Sequence, residues 1–502
     1  EEEEEEEGDD DPEEGDSEKH TITGLNCEAY GGLDKKWAQK MIYWKNIPDD
    51  AKFVSPWKDP EKEKYITFEP DAGGWNNLRM SWETMVAMAH AMGRTLVMPP
   101  LQHIYLLDQY SFNDFYHVDS LAEEHDGLNV ISTKEFLERM EDNFVDKTTG
   151  EKSGPPGGRT DWEGANQGDI KQLIEWMRSV IYTPTWKPDE CILVFAETEE
   201  QHEEVATKLK EIQSKDPPEL EALLTSYIGN PTPVDAPMEE RLKENNARRQ
   251  GGVCPYDQSM QDHEILHFVG EDVGTGAQRM LTHFYTFLFF YDWKQDLWTK
   301  RFIRDHLRYI DQLQCIAGKI VQKLTEDAKE NHGHSYFDSM HVRRGDFQYK
   351  QTRIEAKDIL KNTKKIFKKG GVLFIATDEK KKDFFKPLHG RYDVKYLDDF
   401  KDLIEGVDVH FYGMLDQLIA SQGRKFAGVT YSSFTSFINR MRGYQAVKKK
   451  KKGHENGEVE SYFYFEPEHE EFGTGKYNAV NLPFWAMDFP ASWREIDHGV
   501  GE

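Results

Sequence analysis

The sequence has only four cysteines in 502 residues, and none of them (Cys27, Cys191, Cys254, Cys315) stands in a C-x-x-C pair. That spacing excludes a zinc site built on paired thiolates. It leaves two disulfides in any of three pairings, or free buried thiols. No apolar run approaches the roughly 20 residues that a membrane-spanning helix needs. The longest candidate, "FYTFLFFY" at 284–291, reads as a buried element. There is no signal-peptide pattern, and no N-x-S/T sequon with x other than proline. The first residue is glutamate, so a membrane anchor has a place only in a segment upstream of it. Positive charge is scarce as well. Residues 1–18 carry 14 acids and no base, and the net charge is −29, which argues against general nucleic-acid binding. A segment so charged cannot bury a core, so residues 1–20 are expected to form a disordered acidic tail.

What the chain does have is aromatics, 13 % of residues, and a length sufficient for more than one domain. Within "GGWNNLRMSWETMVAMAHAMGRTLVMPP", residues 73–100, Leu78, Trp82, Met85, Ala89 and Met92 recur at helical spacing. Gly93 fits a helix stop, Thr95–Met98 reads as a strand, and Pro99-Pro100 ends it. Residues 146–168 read as a surface insertion, "CILVFAET" at 191–198 as a buried strand, and 199–250 as polar helix with proline breaks at 217–218 and 231–237. One long amphipathic helix is expected over 296–325. Beyond it, "SMHV" (339–342), "GVLFIAT" (371–377) and "KFAGVT" (425–430) alternate with helical stretches at 355–369, 379–388 and 408–421. Buried strands alternating with helices indicate a parallel, doubly wound α/β sheet. "KKKKKGHENGE" at 448–458 reads as an exposed loop, with a basic binding patch as the alternative.

Open α/β sheets bind ligands at the carboxyl ends of their strands. Three segments of the second half put polar groups there. "SMHV" leads into Arg343, Arg344 and Asp346, "VLFIAT" into Asp378, and "FAGVT" into Ser432, Ser433 and Thr435 at a helix start. Hydroxyls and free N–H groups at a helix start suit phosphate, and an arginine fork suits its oxygens. Taken singly, each has a bland reading: an Arg–Asp ion pair, a Ser cap, a core histidine at 341. Their joint placement points to a nucleotide diphosphate site. In the first half, "GGWNN" reads either as a close backbone approach to a ligand or as a tight turn before a helix.

These segments resemble the GDP-fucose protein O-fucosyltransferase superfamily, which includes the plant O-fucosyltransferase-like proteins. The 73–100 segment is similar to its G-x-x-N motif, helix and "RTL-x-x-PP" strand. "HVRRGDF" is similar to its H-x-R-x-x-D signature, and "ATDE" and "YSSFTSFINRMRG" to its two later nucleotide-sugar motifs. The resemblance implies a GT-B-like α/β fold: two Rossmann-like halves, 21–270 and 271–502, with the donor cleft between them. It implies inverting transfer of fucose from GDP-fucose to a protein Ser or Thr, or to a glycan acceptor, without metal or further cofactor. On the matched positions, Arg343 is the catalytic arginine on the pyrophosphate and Asp378 the guanine contact. Gly74, Trp75, Asn76, Asn77, His341, Asp346, Ser432, Ser433, Phe434 and Thr435 line the donor. The family works in the endoplasmic reticulum or Golgi lumen. Some members carry a glutamate just before the G-F-N stretch as general base; here glycines stand at 73 and 74. No base is assigned, with Glu69 and Asp71 merely near. The alternatives are a sister glycosyltransferase using another nucleotide sugar, such as UDP-rhamnose, or a glycan acceptor, and a non-catalytic binding protein on the same fold.

Overall fold

The computed structural model describes residues 24–70, 73–104, 107–140, 143–188, 190–214, 219, 222, 226–227, 231–248, 251–270, 287–466, 475–477 and 492–500. The acidic tail, Asp71 and the proline break at 217–218 lie outside them.

Among the described residues the α/β reading holds, with parallel sheets in both parts of the chain. In the first, strands Val130–Ser132, Thr95–Met98, Tyr65–Phe68 and Ile265–Phe268 lie side by side in that order, all parallel. Beside them, Cys191–Phe195 runs parallel between Gly252–Tyr256 and Leu288–Phe290. That last strand is the described part of "FYTFLFFY", and it is buried as its composition demands. In the second part, Asp393–Lys395, Val372–Thr377, Asp338–Val342, Phe426–Gly428 and Ser461–Phe463 form a parallel sheet, closed on one edge by antiparallel Gly475–Lys476. The three strands expected at 339–342, 371–377 and 425–430 are thus adjacent, with their carboxyl ends on one edge.

The helix expected over 296–325 is two helices, Trp293–His306 and Asp311–His332. Burial explains the break. In the linker the Arg308 guanidinium packs 4.2 Å above the Trp44 ring, and the Tyr309 hydroxyl bridges Trp75 Nε1 and Gln417 Oε1 at 3.0 and 2.9 Å. Both residues are 1 % exposed, and a straight helix would not deliver both side chains to these partners. The helices expected at 355–369 and 379–388 are shorter, Ala356–Thr363 and Lys386–His389. Gly93 ends the Trp75–Met92 helix with φ 63°, in the left-handed region. A Cβ there would lie 2.5 Å from the Lys58 backbone, so both conformation and space call for glycine. All four cysteines are paired, Cys27 with Cys315 and Cys191 with Cys254. The first bond ties the segment near the start of the described chain to the Asp311–His332 helix; the second staples two neighbouring strands.

The two parts meet where the Trp75–Met92 helix packs on the Ser433–Lys448 helix. At the contact, Glu83, fully buried, accepts from Arg79 Nη1 at 2.8 Å and from Arg440 Nη1 and Nη2 at 2.9 and 2.7 Å. Both guanidiniums also face the Phe437 ring, at 3.8 and 4.7 Å. Burial alone would raise the Glu83 carboxyl, but Arg440 and Arg79 outweigh it and hold it below the ordinary range.

A second buried cluster is aromatic and titratable. The His90 ring lies 5.1–5.2 Å from those of Phe53, Phe302 and His125. Burial, then His125, lowers the His90 pKa well below its usual value. Burial, then His306, lowers His125 to about 3.

Two outcomes follow from these clusters. Glu83→Ala leaves two guanidiniums buried without their counter-charge and should cost about 3–5 kcal/mol, read from urea unfolding. His90 and His125 stay neutral in the folded chain, whereas an unfolded histidine protonates near about 6.5. Their contribution is therefore complete above that pH and falls away as pH drops toward 3, by up to about 1.4 kcal/mol per unit for each histidine. Urea midpoints should fall between pH 7.5 and 5, and His90→Phe should flatten that slope. A midpoint independent of pH across this range would contradict the assignment.

Candidate functional site

The carboxyl edge of the second sheet carries the charged loop. Arg343 Nη2 donates to Asp346 Oδ1, and Nη1 stands 3.2 Å from Asp378 Oδ2. Asp378 also accepts the backbone N–H of Arg344 at 2.7 Å and of Gly345 at 2.8 Å. A Cβ on Gly345 would come within 2.5 Å of Asp378 Oδ2, so the loop can close on the carboxylate only with glycine there. The ion pairs of the bland reading are therefore present, and they have a consequence: two carboxylates hold the Arg343 guanidinium in one orientation at the strand end. They engage only part of its five N–H donors. Arg344 turns away. Its guanidinium lies 3.8 Å over the Phe384 ring and donates to Glu379 Oε2 and the Ile354 carbonyl, each at 3.1 Å.

His341 lies two residues before Arg343, on the side facing the Ser433–Lys448 helix. Its ring stacks 4.3 Å from Phe434, and Nδ1 meets Thr435 Oγ1 at 2.8 Å. Burial, then the Arg343 charge, lowers its pKa to about 3, so it is a neutral hydrogen-bonding group, unsuited to proton transfer near neutrality. Ser432 is the residue capping the helix start without a side-chain cap bond. Tyr431, just before it, has φ 65°, a left-handed conformation that costs a non-glycine residue about 1–3 kcal/mol and recurs at functional sites. Its ring lies 5.1 Å from Tyr349, which lies 5.3 Å from Phe347. Together they form an aromatic flank beside the charged loop.

The first part of the chain reaches the same place. Gly74 precedes the Trp75–Met92 helix with open space where a Cβ would be. Ser433 Oγ donates to Asn77 Oδ1 at 3.2 Å, and Gln417 Nε2 donates to Asn76 Oδ1 at 2.9 Å and more weakly, at 3.4 Å, to the Phe434 carbonyl. The structure thus brings Gly74, Asn76 and Asn77 together with His341, Arg343 and Ser432–Thr435. Trp75 is 7 % exposed, its ring stacked 3.8 Å from Phe115 and its Nε1 bonded to Tyr309. It is a core residue that anchors the turn. Asp378 accepts from the loop backbone and pairs with Arg343.

Glu69 now has a place. At the end of the Tyr65–Phe68 strand it accepts from Arg178 Nε and Nη2, both at 2.5 Å, from the Gly270 N–H at 3.0 Å, and meets His267 Nε2 at 3.0 Å. Burial would raise its pKa, but His267, Arg178 and Gly270 bring it to about 2. Such a carboxylate is too weak a base to take a hydroxyl proton readily.

Two residues were not visible as site candidates in the sequence. Gln417 sits inside the Tyr412–Ser421 helix, where a glutamine reads as surface, yet it joins Tyr309, Asn76 and Phe434. Asp416, beside it, faces the end of the Val372–Thr377 strand and the Thr377 N–H. Burial pushes its carboxyl well above the usual range, and Oδ1 has no partner among the described residues. No sequence signal short of the fold marks either. Among the described residues, no three His, Cys, Asp or Glu side chains converge so as to hold a metal ion.

Gln417→Leu leaves Asn76 and Tyr309 with lost partners, a penalty of about 1–3 kcal/mol. We expect a lower urea midpoint and, because the two helix starts lose register, weaker nucleotide binding by calorimetry. Unchanged binding would show that Gln417 serves stability alone.

Among solved structures, the chain is similar to POFUT1 in complex with GDP (12 % identity, 77 % of this chain and 97 % of that chain, TM-score 0.31). It is similar to POFUT1 in complex with GDP-fucose (12 %, 77 % and 95 %, 0.30), and to a mutant of Arabidopsis thaliana FUT1 in complex with GDP (9 %, 88 % and 77 %, 0.33). No curated protein sequence matches it. The model of the family described as GDP-fucose protein O-fucosyltransferase matches residues 65–445, about three quarters of the chain, and this chain belongs to that family.

Proposed function

We propose that this protein transfers fucose from GDP-fucose to the hydroxyl of a protein Ser or Thr, with inversion and without a metal ion. The observation that carries the reading is Arg343, held between Asp346 and Asp378 beside a helix start that the other half also reaches through Asn77. In the reaction the acceptor oxygen bonds to fucose C1 from the face opposite the phosphate. The C1–O bond breaks with its electron pair going to the β-phosphate, and the hydroxyl proton is released to the medium. Negative charge grows on the departing GDP, and Arg343 is the group placed to stabilise it. The N–H groups and hydroxyls of Ser432–Thr435 hold the pyrophosphate, and neutral His341 adds a hydrogen bond. Gly74 and Asn77 line the opposite wall. Two disulfides accord with an oxidising compartment, which supports a place in the endoplasmic reticulum or Golgi lumen.

The donor is tested by thermal unfolding and calorimetry. GDP at 100 times its Kd should add about 2.7 kcal/mol of stability, and UDP should add nothing. Equal stabilisation by UDP would replace this reading with that of a sister glycosyltransferase. Turnover should persist in EDTA; loss with EDTA and rescue by manganese would remove the metal-free mechanism.

Arg343→Ala should lose on the order of 10²–10³ in kcat, the usual cost of one preorganised charge-stabilising donor, with the urea midpoint little changed. Arg343→Lys should also be poor, because an ammonium lacks the planar fork. Arg344→Ala is a comparison, its guanidinium being turned onto Phe384; it should affect stability more than kcat. A variant without the Arg343 guanidinium that kept more than about a tenth of kcat, well outside that range, would remove the catalytic role.

A further inference from the structure

The lysine run at 448–452 is not an isolated loop. It joins Lys40, Arg424, Arg442 and Lys476 around a pocket of about 260 Å³, in which Lys449, Lys451 and Lys452 are lining residues. Seven cations from four distant stretches of an acidic chain thus converge on one concavity. Only two acids line it, Glu458 and Glu460: Glu458 faces Lys476, one of the seven, at 3.2 Å, and Glu460 faces Lys425 at 3.8 Å, while Arg424 is paired with Asp338 from outside the pocket at 2.9 Å. Lys40, Lys449, Lys451 and Lys452 have no ion pair among the described residues. The floor is Arg442, 7 % exposed. Its guanidinium donates to the Ser421, Gly423, Arg424 and Glu460 carbonyls and to Ser461 Oγ. These neutral acceptors satisfy its N–H groups, and no carboxylate is ion-paired with it among the described residues.

The pocket lies away from the donor cleft. Its lining includes Tyr336 and Phe337, Gly423 and Arg424, and Val459 and Glu460, each pair just before or within two residues of a strand start in the second sheet. That is the amino edge, whereas Arg343 and Ser432–Thr435 stand at the carboxyl edge. The intervening Asp338–Val342 strand, at about 3.3 Å per residue, separates them by about 16 Å.

We propose that this basic pocket is a second binding site, for a ligand carrying clustered phosphate or sulfate groups. Converging ammonium groups suit such compact, multiply charged anions, and a carboxylate-poor lining suits an anion brought from outside. Burial and neighbouring like charges disfavour the charged form of two of its lysines. Desolvation, then Lys36, lowers Lys40 to about 8, and desolvation, then Lys451, Lys40, Arg442 and Lys448, lowers Lys449 to about 8. A bound polyanion would reverse both shifts. The site requires nothing of the donor reading, and it stands or falls separately.

The test is calorimetry on the full chain with GDP in excess, so that the donor cleft is filled. Inositol hexakisphosphate and a heparin tetrasaccharide serve as probes of the phosphate and sulfate sources. At least one should bind with one-to-one stoichiometry, more weakly as salt rises, and the tighter of the two identifies the source. Lys449→Glu with Lys451→Glu should weaken that binding at least about tenfold while GDP affinity stays unchanged. Arg442→Gln is avoided because it would break the floor. Absence of binding by both probes, or binding indifferent to the double charge reversal, would overturn the proposal. So would a polyglutamate peptide binding as tightly as either probe, since the pocket would then be a seat for acidic peptide.

Discussion

One buried carboxylate sets the distance between the two halves of this molecule. Glu83 sits two turns into the Trp75–Met92 helix, and Arg440 two turns into the Ser433–Lys448 helix. At 1.5 Å per residue, the clasp lies about 12 Å below one helix start and about 10 Å below the other. Both helices carry a candidate donor motif at that start. Locking them together at equal depth brings the GGWNN turn and the Ser432–Thr435 turn to the same level. The direct bonds between them, Ser433 to Asn77 and Gln417 to Asn76, are short enough to form only when that register is right. Neither half holds the arrangement alone, because the acid belongs to one helix and the bidentate arginine to the other.

The same economy of charge runs through the site. Each acid near the cleft is tied to a cation or to backbone N–H groups: Glu69 to Arg178 and Gly270, Asp378 to the 344–345 backbone and Arg343. Fixing the carboxylates fixes the arginine, and in the proposed reaction a fixed arginine is what charge stabilisation in a departing phosphate needs. The same fixation makes the named acids poor bases. A barrier dominated by leaving-group charge tolerates that. Asp416 is the exception: its Oδ1 is buried without a partner among the described residues, and burial holds its carboxyl well above the usual range. At the opposite edge of the second sheet the balance inverts, and cations outnumber acids.

Much of the scaffold was legible along the chain. Apolar runs marked the strands at 371–377 and 425–430, because a strand covered on both faces needs no polar alternation; the strand at 339–342 alternates Ser339 and His341 with Met340 and Val342, and all four are buried. The helical period from Leu78 to Met92 and the glycine after it marked the first helix and its stop. Order and spacing of the motifs then located the charged loop and the helix start. The error at 296–325 is of a different kind. Periodicity reports a buried face but not where the chain must turn to seat Arg308 over Trp44 and Tyr309 against Gln417.

What the sequence determined by itself was therefore the local and the periodic: which segments are buried, which bend, and which carry charge at a strand end. Only the tertiary structure decided which partner each polar group found. Trp75 lies in a ligand-like motif yet is core. Glu69 and Asp378 are acids already bonded, the cysteines adopt one pairing of three, and the lysines of 448–452 share a pocket with Lys40, some 400 positions away. A hydrogen bond or ion pair depends on distances of a few ångströms between residues far apart in the chain. Composition and spacing carry no measure of such distances, and only packing supplies it.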